Sequence, residues 1–296
     1  MECSYALATI RHTISSFTMN NTFIMAGVMG WPVAHSRSPV IHNHWIYKCK
    51  LNGAYGLFPV EPGKLEDAVL GLRALGLAGC NITIPHKVDA MKYMDWVEPL
   101  ALRMGAINTI VVQPDGGLHG FNNDGFGYIE SLREAQPNWQ VNSGPIVVLG
   151  AGGASRAIVV SLIDAGATEI RILNRTRSKA DALAKEFGPP VTALNWDERH
   201  DALAGAALLV NTTNQGMHGQ LALDIELTQL PKVALVSDAI YIPLETPLLK
   251  AARLRGNTTV NGLGMLLHQA RPAFNAWFGV MPEVTPELRK IVISTF

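Results

Sequence analysis

The stretch Pro145-Ile146-Val147-Val148-Leu149-Gly150-Ala151-Gly152-Gly153-Ala154-Ser155-Arg156 decides the fold. Its apolar run suits a short strand buried on both faces. Gly150, Gly152 and Gly153 follow at once, where absent side chains permit a tight turn and let the backbone approach a pyrophosphate. Ala154, Ser155 and Arg156 then open a helix whose N-terminus faces the anion. A bare strand-to-helix connection would also use such a turn, but strand, turn and helix together favour a phosphate site.

The next strand, read as Glu169 to Leu173, runs into Asn174-Arg175-Thr176-Arg177-Ser178-Lys179. A fold preferring NAD usually presents an acid here to the ribose hydroxyls; this chain presents three cations. Arg175 can stack on adenine or contact a 2′-phosphate, Thr176 can donate to that phosphate, and Arg177 or Lys179 can neutralise it. The expected cofactor is therefore NADP, with a solvated basic helix start as the plain alternative. Strands at Val191 to Leu194, Ala207 to Val210, Val233 to Val236 and Thr258 to Val260 alternate with helices centred near Ala157, Leu183, Ala202 and Leu249, which implies a parallel sheet. Asn211, Thr212 and Thr213 end one of these strands, either lining the cofactor or capping a turn.

Upstream, strands are expected at Met25 to Met29, Gly53 to Pro59, Gly79 to Ile84, Ile107 to Val112 and Leu118 to Gly120, the last two flanking the Pro114-Asp115-Gly116 turn. Helices fit Ser38-Pro39 onward, with Ser38 as N-cap, and Pro62 to Leu75, Leu100 to Arg103 and Asp124 to about Glu134. Turn-rich Pro137 to Gly144 precedes the second sheet. Gly264 to Trp277 fits one helical face, with Pro272 as a kink or restart, and Pro286 to Val292 a final helix.

Length and charge bound the function. A chain of 296 residues suits two domains, and 24 Lys plus Arg against 24 Asp plus Glu leaves no broad positive field for nucleic acid or anionic membrane. A small-molecule partner fits better. The cysteines Cys3, Cys49 and Cys80 form no CxxC pair, which argues against a disulfide framework or thiolate zinc site and makes the cytoplasm the default. No apolar run is long enough for a membrane span, and residues 1–24 read as a polar extension.

A second polar constellation lies in the first half. Ser36 and Ser38 stand two positions apart, so an extended backbone places both hydroxyls on one side, where they can donate to a small carboxylate; local capping is the alternative. In Asn81-Ile82-Thr83-Ile84-Pro85-His86-Lys87 the alternation sends Asn81, Thr83 and Lys87 toward a strand-end cleft. Lys87 can transfer a proton if a carboxylate such as Asp124 partners it; a solvated lysine and a helix-capping aspartate are the bland readings. Asn108 offers both donors and an acceptor to a polyhydroxylated substrate, or closes a turn. His86 and His268 lack companions at metal-ligand spacing, so no metal is expected.

From about Ala26 almost to Phe296 these motifs resemble the shikimate dehydrogenase family, which includes quinate/shikimate dehydrogenases. The matching segments are Gly30-Trp31-Pro32 to Pro39, Asn81 to Lys87, Gly105-Ala106-Ile107-Asn108-Thr109, Gly150 to Ala157, Asn174 to Lys179, Asp238 to Pro247 and Asn261 to Met265. The resemblance implies a two-domain α/β fold. A substrate domain over 25–123, completed by helices within 264–296, faces an NADP-binding Rossmann domain over 124–263 across a cleft. It implies that Ser36 and Ser38 hold the substrate carboxylate, that Asn81, Thr83, Asn108 and Gln269 contact its hydroxyls or carbonyl, and that Lys87 and Asp124 are the catalytic pair. Tyr241 would close against the carboxylate and Gly262 contact the nicotinamide side, with Gly150 to Ala154, Ala151 included, holding the pyrophosphate. The implied reaction is reversible NADPH-dependent reduction of 3-dehydroshikimate to shikimate by a monomer or homodimer. Quinate or another cyclic hydroxy acid, and a regulator without catalysis, stay as alternatives. Phe121, Asn123, His86 and Asn261 depart from the family's usual residues, and the first three stand beside the catalytic motifs.

Overall fold

The computed structural model describes residues 22–296, so the extension read over 1–24 lies almost wholly outside the described residues. The first sheet is built from β1 (Ile24–Gly30), β2 (Gly53–Pro59), β3 (Gly79–Ile82), β4 (Trp96–Val97), β5 (Thr109–Val112) and β6 (Leu118–Phe121), in the order β2-β1-β3-β5-β6-β4. Helices α1 (Ser38–Lys48), α2 (Leu65–Ala74) and α3 (Pro99–Met104) connect them. The two-residue side-chain period of β1 divides two cores: Ala26 and Val28 face α1, whereas Met29 faces α2. β1 is parallel to β2 and β3, but β5 is antiparallel to β3 and β6. That inversion brings the N-terminal end of β5 to the same sheet edge as the C-terminal ends of β3 and β6.

After α4 (Asp124–Ala135) comes the second sheet, with β7 (Ile146–Leu149), β8 (Ile170–Leu173), β9 (Val191–Leu194), β10 (Leu208–Asn211), β11 (Leu235–Asp238) and β12 (Thr259–Val260). Its order is β12-β11-β10-β7-β8-β9, and each pairing is parallel. The chain reverses direction across the sheet between β7 and β10, which opens a crevice at their C-terminal ends. Helices α5 (Gly153–Asp164), α6 (Arg177–Phe187) and α7 (Pro247–Arg255) cover it.

α8 (Gly262–His268), α9 (Ala270–Phe278) and α10 (Pro286–Ile293) carry the chain back to the first sheet, where Leu267, Phe274, Trp277 and Leu288 pack with Ile41, Trp45 and Tyr55. α8 also crosses α4 closely. A Cβ on Gly127 would meet the Met265 carbonyl and Gln269, and one on Gly264 would meet Ser131, so these glycines set the approach of the helices that join the sheets.

Several boundaries differ from the sequence reading. The single helix expected from Gly264 to Trp277 is two, broken at Gln269, and Pro272 falls in the first turn of α9, where a missing N–H leaves no intrahelical bond unmade. The helix expected near Ala202 is a pair of 3₁₀ turns, Trp196–Arg199 and Asp201–Leu203, the first held by a capping box between Asn195 and Glu198. Ser38 is not the N-cap of α1: that position is Arg37, and Ser38 is the first helical residue.

Candidate active site

The edge shared by β3, β5 and β6 gathers the polar residues. Register pairs Asn81 with Thr109 and Thr109 with Phe121, so Asn81, Asn108 and the Asn122-Asn123-Asp124 segment meet although they are distant in sequence. Lys87 Nζ donates to Asp124 Oδ2 at 2.7 Å, and Asn108 Nδ2 donates to Asp124 Oδ1 at 2.8 Å. Both carboxylate oxygens are thus fixed, and Asp124 occupies the first turn of α4, where the helix dipole favours negative charge. Its backbone N–H donates to Asn122 Oδ1 at 3.0 Å. The capping reading of Asp124 therefore fails: its side chain is committed to Lys87 and Asn108.

Behind this pair lies a buried amide and hydroxyl network. Thr109 Oγ1 donates to Asn108 Oδ1 at 2.9 Å and accepts from Asn81 Nδ2 and Asn123 Nδ2, each at 3.0 Å. Asn81 Nδ2 also donates to the Asn108 carbonyl, while Asn81 Oδ1 accepts from the Tyr55 hydroxyl at 2.6 Å. Both amide protons of Asn81 are used within the protein, so toward a substrate it can only accept. Thr109, Tyr55 and Asn123 were absent from the sequence-derived set. Thr109 carried a signal in adjoining Asn108, whereas nothing in the sequence ties Tyr55 to Asn81.

Ser36 and Ser38 line the same cleft at the end of β1. The Ser38 backbone N–H, the first of α1, donates to Ser36 Oγ at 3.3 Å, so Ser36 also supports the start of that helix. Thr83, Lys87, Asn108 and Asp124 lie on the first-sheet wall, while Ala154, Tyr241, Gly262 and Gln269 approach from the elements opposite, enclosing about 260 Å³.

Across the cleft the glycine turn fits a dinucleotide. Gly150 has φ +109°, a left-handed conformation that favours glycine, and a Cβ there would strike Thr212. Beside Gly152 and Gly153 an added Cβ would meet nothing within 4 Å, leaving an open cradle at the N-terminus of α5. Ser155 closes the turn by donating to the Gly150 carbonyl at 2.8 Å, Thr212 Oγ1 donates to the Leu149 carbonyl at 2.8 Å, and Ala151 packs on the core beneath.

Two cofactor-side residues are engaged within the protein. The Asn211 side chain is fully buried and spent, donating to the Gln215 carbonyl and Asp238 Oδ1 and accepting from Thr213, so it shapes the turn instead of reaching the cleft. Burial raises the Asp238 carboxyl above its ordinary range, against the donors around it. Arg177 is held by Asp181 at 2.8 Å, Asn195 at 2.7 Å and the Ala193 carbonyl, which leaves Arg175 and Lys179, both exposed, as the uncommitted cations of the motif. Asn174 braces the loop by donating to the Thr176 carbonyl at 2.9 Å, and Thr176 is the N-cap of α6 without a side-chain capping bond.

The two histidines have structural partners: His86 Nε2 donates to the Val60 carbonyl at 2.7 Å, and His268 Nε2 meets Glu134 at 2.9 Å. Among the described residues no cluster of His, Cys, Asp or Glu is placed to hold a metal, and no helix is long and apolar enough to cross a membrane. Phe121, Asn123, His86 and Asn261 are all missing from the cleft lining. Phe121 packs edge-on against Trp96, and Asn261 caps α8 by accepting from Leu263 N–H.

A parallel nucleotide-binding sheet, an open glycine cradle and a lysine–carboxylate pair facing it define a two-domain NADP-dependent dehydrogenase. Models of the shikimate dehydrogenase substrate-binding domain, of shikimate/quinate 5-dehydrogenase and of the shikimate 5′-dehydrogenase C-terminal domain match residues 28–110, 133–219 and 262–286. The shikimate dehydrogenase (NADP(+)) of Rhodospirillum rubrum is 53% identical, over 91% of this chain and 97% of the relative. The solved shikimate 5-dehydrogenase of Thermus thermophilus, in complex with NADP(H) and shikimate, is 35% identical with a TM-score of 0.81, over 92% of this chain and all of that one. Quinate dehydrogenase from Corynebacterium glutamicum in complex with NAD has a TM-score of 0.84 at 29% identity, over 92% and 100% of the two chains. The chain belongs to the shikimate dehydrogenase family.

Proposed function

We propose that the protein is a shikimate dehydrogenase that reversibly reduces 3-dehydroshikimate to shikimate with NADPH. The observation that carries this reading is the Lys87–Asp124 ion pair, fixed at 2.7 Å on the wall facing the glycine cradle, in a cleft that also carries the hydroxyls of Ser36 and Ser38. Ser36 and Ser38 donate to the substrate carboxylate, which sets the ring's position in the cleft. NADPH, when bound along Gly150 to Ala154 with its 2′-phosphate beside Arg175 and Lys179, supplies the hydride to the carbonyl carbon. As the carbonyl oxygen gains charge, protonated Lys87 stabilises it and delivers a proton; Asp124 holds the ammonium in place and Asn108 holds Asp124. In the oxidative direction Lys87 receives the hydroxyl proton.

The substrate domain in this reading spans 25–123 with the helices of 264–296, and the nucleotide domain spans 124–263. Tyr241 and Gln269 border the substrate, and Gly262 the nicotinamide. The free thiols of Cys49 and Cys80 suit a cytoplasmic enzyme, which we take to act as a monomer or homodimer. A spectrophotometric matrix of NADP and NAD against shikimate and quinate tests reaction, substrate and cofactor together. Turnover should be fastest with NADP and shikimate; failure to oxidise shikimate with either cofactor would overturn the assignment.

A further inference from the structure

Tyr55 lies on β2, one strand removed from the strand that carries Asn81, and is 4% exposed. Its ring stacks on His42 with centroids 4.1 Å apart and planes 2° from parallel, and Trp277 packs alongside at 6.0 Å. The phenol is thus held by aromatic packing, and its hydroxyl meets Asn81, a residue of the cleft. It donates to Asn81 Oδ1 at 2.6 Å. Burial raises the Tyr55 hydroxyl well above its usual range, so the proton that Asn81 receives is present at every working pH.

This geometry has a chemical consequence. An asparagine amide can face either way; the Asn108 carbonyl, which only accepts, turns Nδ2 toward itself and Thr109, and the Tyr55 hydroxyl donates to Oδ1 and holds that orientation. Asn81 then presents acceptor capacity, not a donor, to a substrate hydroxyl.

We infer that Tyr55 is a positioning residue for the substrate, acting through Asn81 to fix the acceptor that the cleft offers to a ring hydroxyl. This rests on the shikimate dehydrogenase reading. Tyr55 touches neither Lys87 nor Asp124, so its effect belongs to substrate binding more than to proton transfer.

Tyr55→Phe keeps the ring stack and removes only the hydroxyl. Steady-state kinetics should show KM for shikimate raised about tenfold, the scale of one buried hydrogen bond to a binding group, with kcat within about threefold and KM for NADP unchanged. A double-mutant cycle with Asn81→Ala supplies the second readout: if Tyr55 works through Asn81, Tyr55→Phe adds much less in the Asn81→Ala background than alone. An unchanged shikimate KM in Tyr55→Phe, fully additive effects, or a parallel rise in KM for NADP would overturn the inference. If the unsubstituted protein fails to turn over shikimate, the functional reading falls and this inference with it. An active parent with an unaffected Tyr55→Phe removes this inference alone.

Discussion

The two walls of the cleft are built on opposite plans. On the first-sheet wall the catalytic pair and the amides already have protein partners: Lys87 with Asp124, Asn108 with Asp124 and Thr109, Asn81 with Tyr55, Asn108 and Thr109. On the nucleotide wall the cradle at Gly152 and Gly153 is open, and Arg175 and Lys179 are exposed. A wall that must stabilise developing charge benefits from dipoles fixed in advance. A wall that binds a long anionic cofactor needs backbone access and mobile cations.

The sharpest way to break this contrast is to remove the charge at its centre. Lys87→Ala should lower kcat by about 10³-fold, within the usual range for a lost acid–base group, while NADP binding measured by fluorescence titration survives. Loss of cofactor affinity instead would mean that the walls are not separable. Asp124→Asn, which keeps the shape but removes the charge orienting Lys87, should lower kcat by about 10²-fold.

On the open wall the effects are smaller and fall on selectivity. Arg175→Ala should raise KM for NADP about tenfold, as for one charge-assisted phosphate contact, with little change for NAD. Arg177→Ala should change the NADP-to-NAD ratio far less, because that guanidinium is held by Asp181, Asn195 and the Ala193 carbonyl. A larger loss of preference in Arg177→Ala than in Arg175→Ala would reverse the assignment of the uncommitted cation.

A further test concerns the core behind the fixed wall. Burial pushes the His42 imidazole down to about 3 from its ordinary 6.5. Between those values the unfolded chain binds a proton that the folded one refuses, so stability is lost as pH falls below about 6.5 and the loss continues toward 3. At about 1.4 kcal/mol per pH unit, the contribution between pH 7 and 5 is about 2 kcal/mol. Urea unfolding at those two pH values should show this slope, and His42→Phe, which preserves the stack on Tyr55, should flatten it.

Legibility in the sequence followed the same division. The nucleotide wall is local: strand, glycine turn, helix and cations lie in two short runs, and each element is specified by its neighbours in the chain. Local context also hides commitments there, since neither the burial of Asn211 against Asp238 nor the engagement of Arg177 by Asn195, eighteen residues away, leaves a mark on the motif. On the substrate wall the sequence exposed Ser36, Ser38, Lys87 and Asp124 as residue types suited to the chemistry. It was silent on distance, and nothing in the sequence tied Tyr55 to Asn81. The strand Trp96–Val97 was also invisible, because two residues are too few to show a period.

By itself, then, the sequence determined the alternation of strands and helices, the glycine turn and the chemical repertoire of the cleft, because these depend on side-chain type and short-range spacing. The family resemblance, also read from sequence, supplied the reaction that this repertoire serves. Tertiary structure alone decided which groups are spent and which are available. The antiparallel insertion of β5 carried Asn108 to the edge shared with Lys87 and Asp124. The close crossing of α4 and α8 set the two walls against each other across the cleft. Hydrogen-bond commitment is a property of three-dimensional neighbours, and those neighbours here are up to 37 residues apart in the Lys87–Asp124 pair alone.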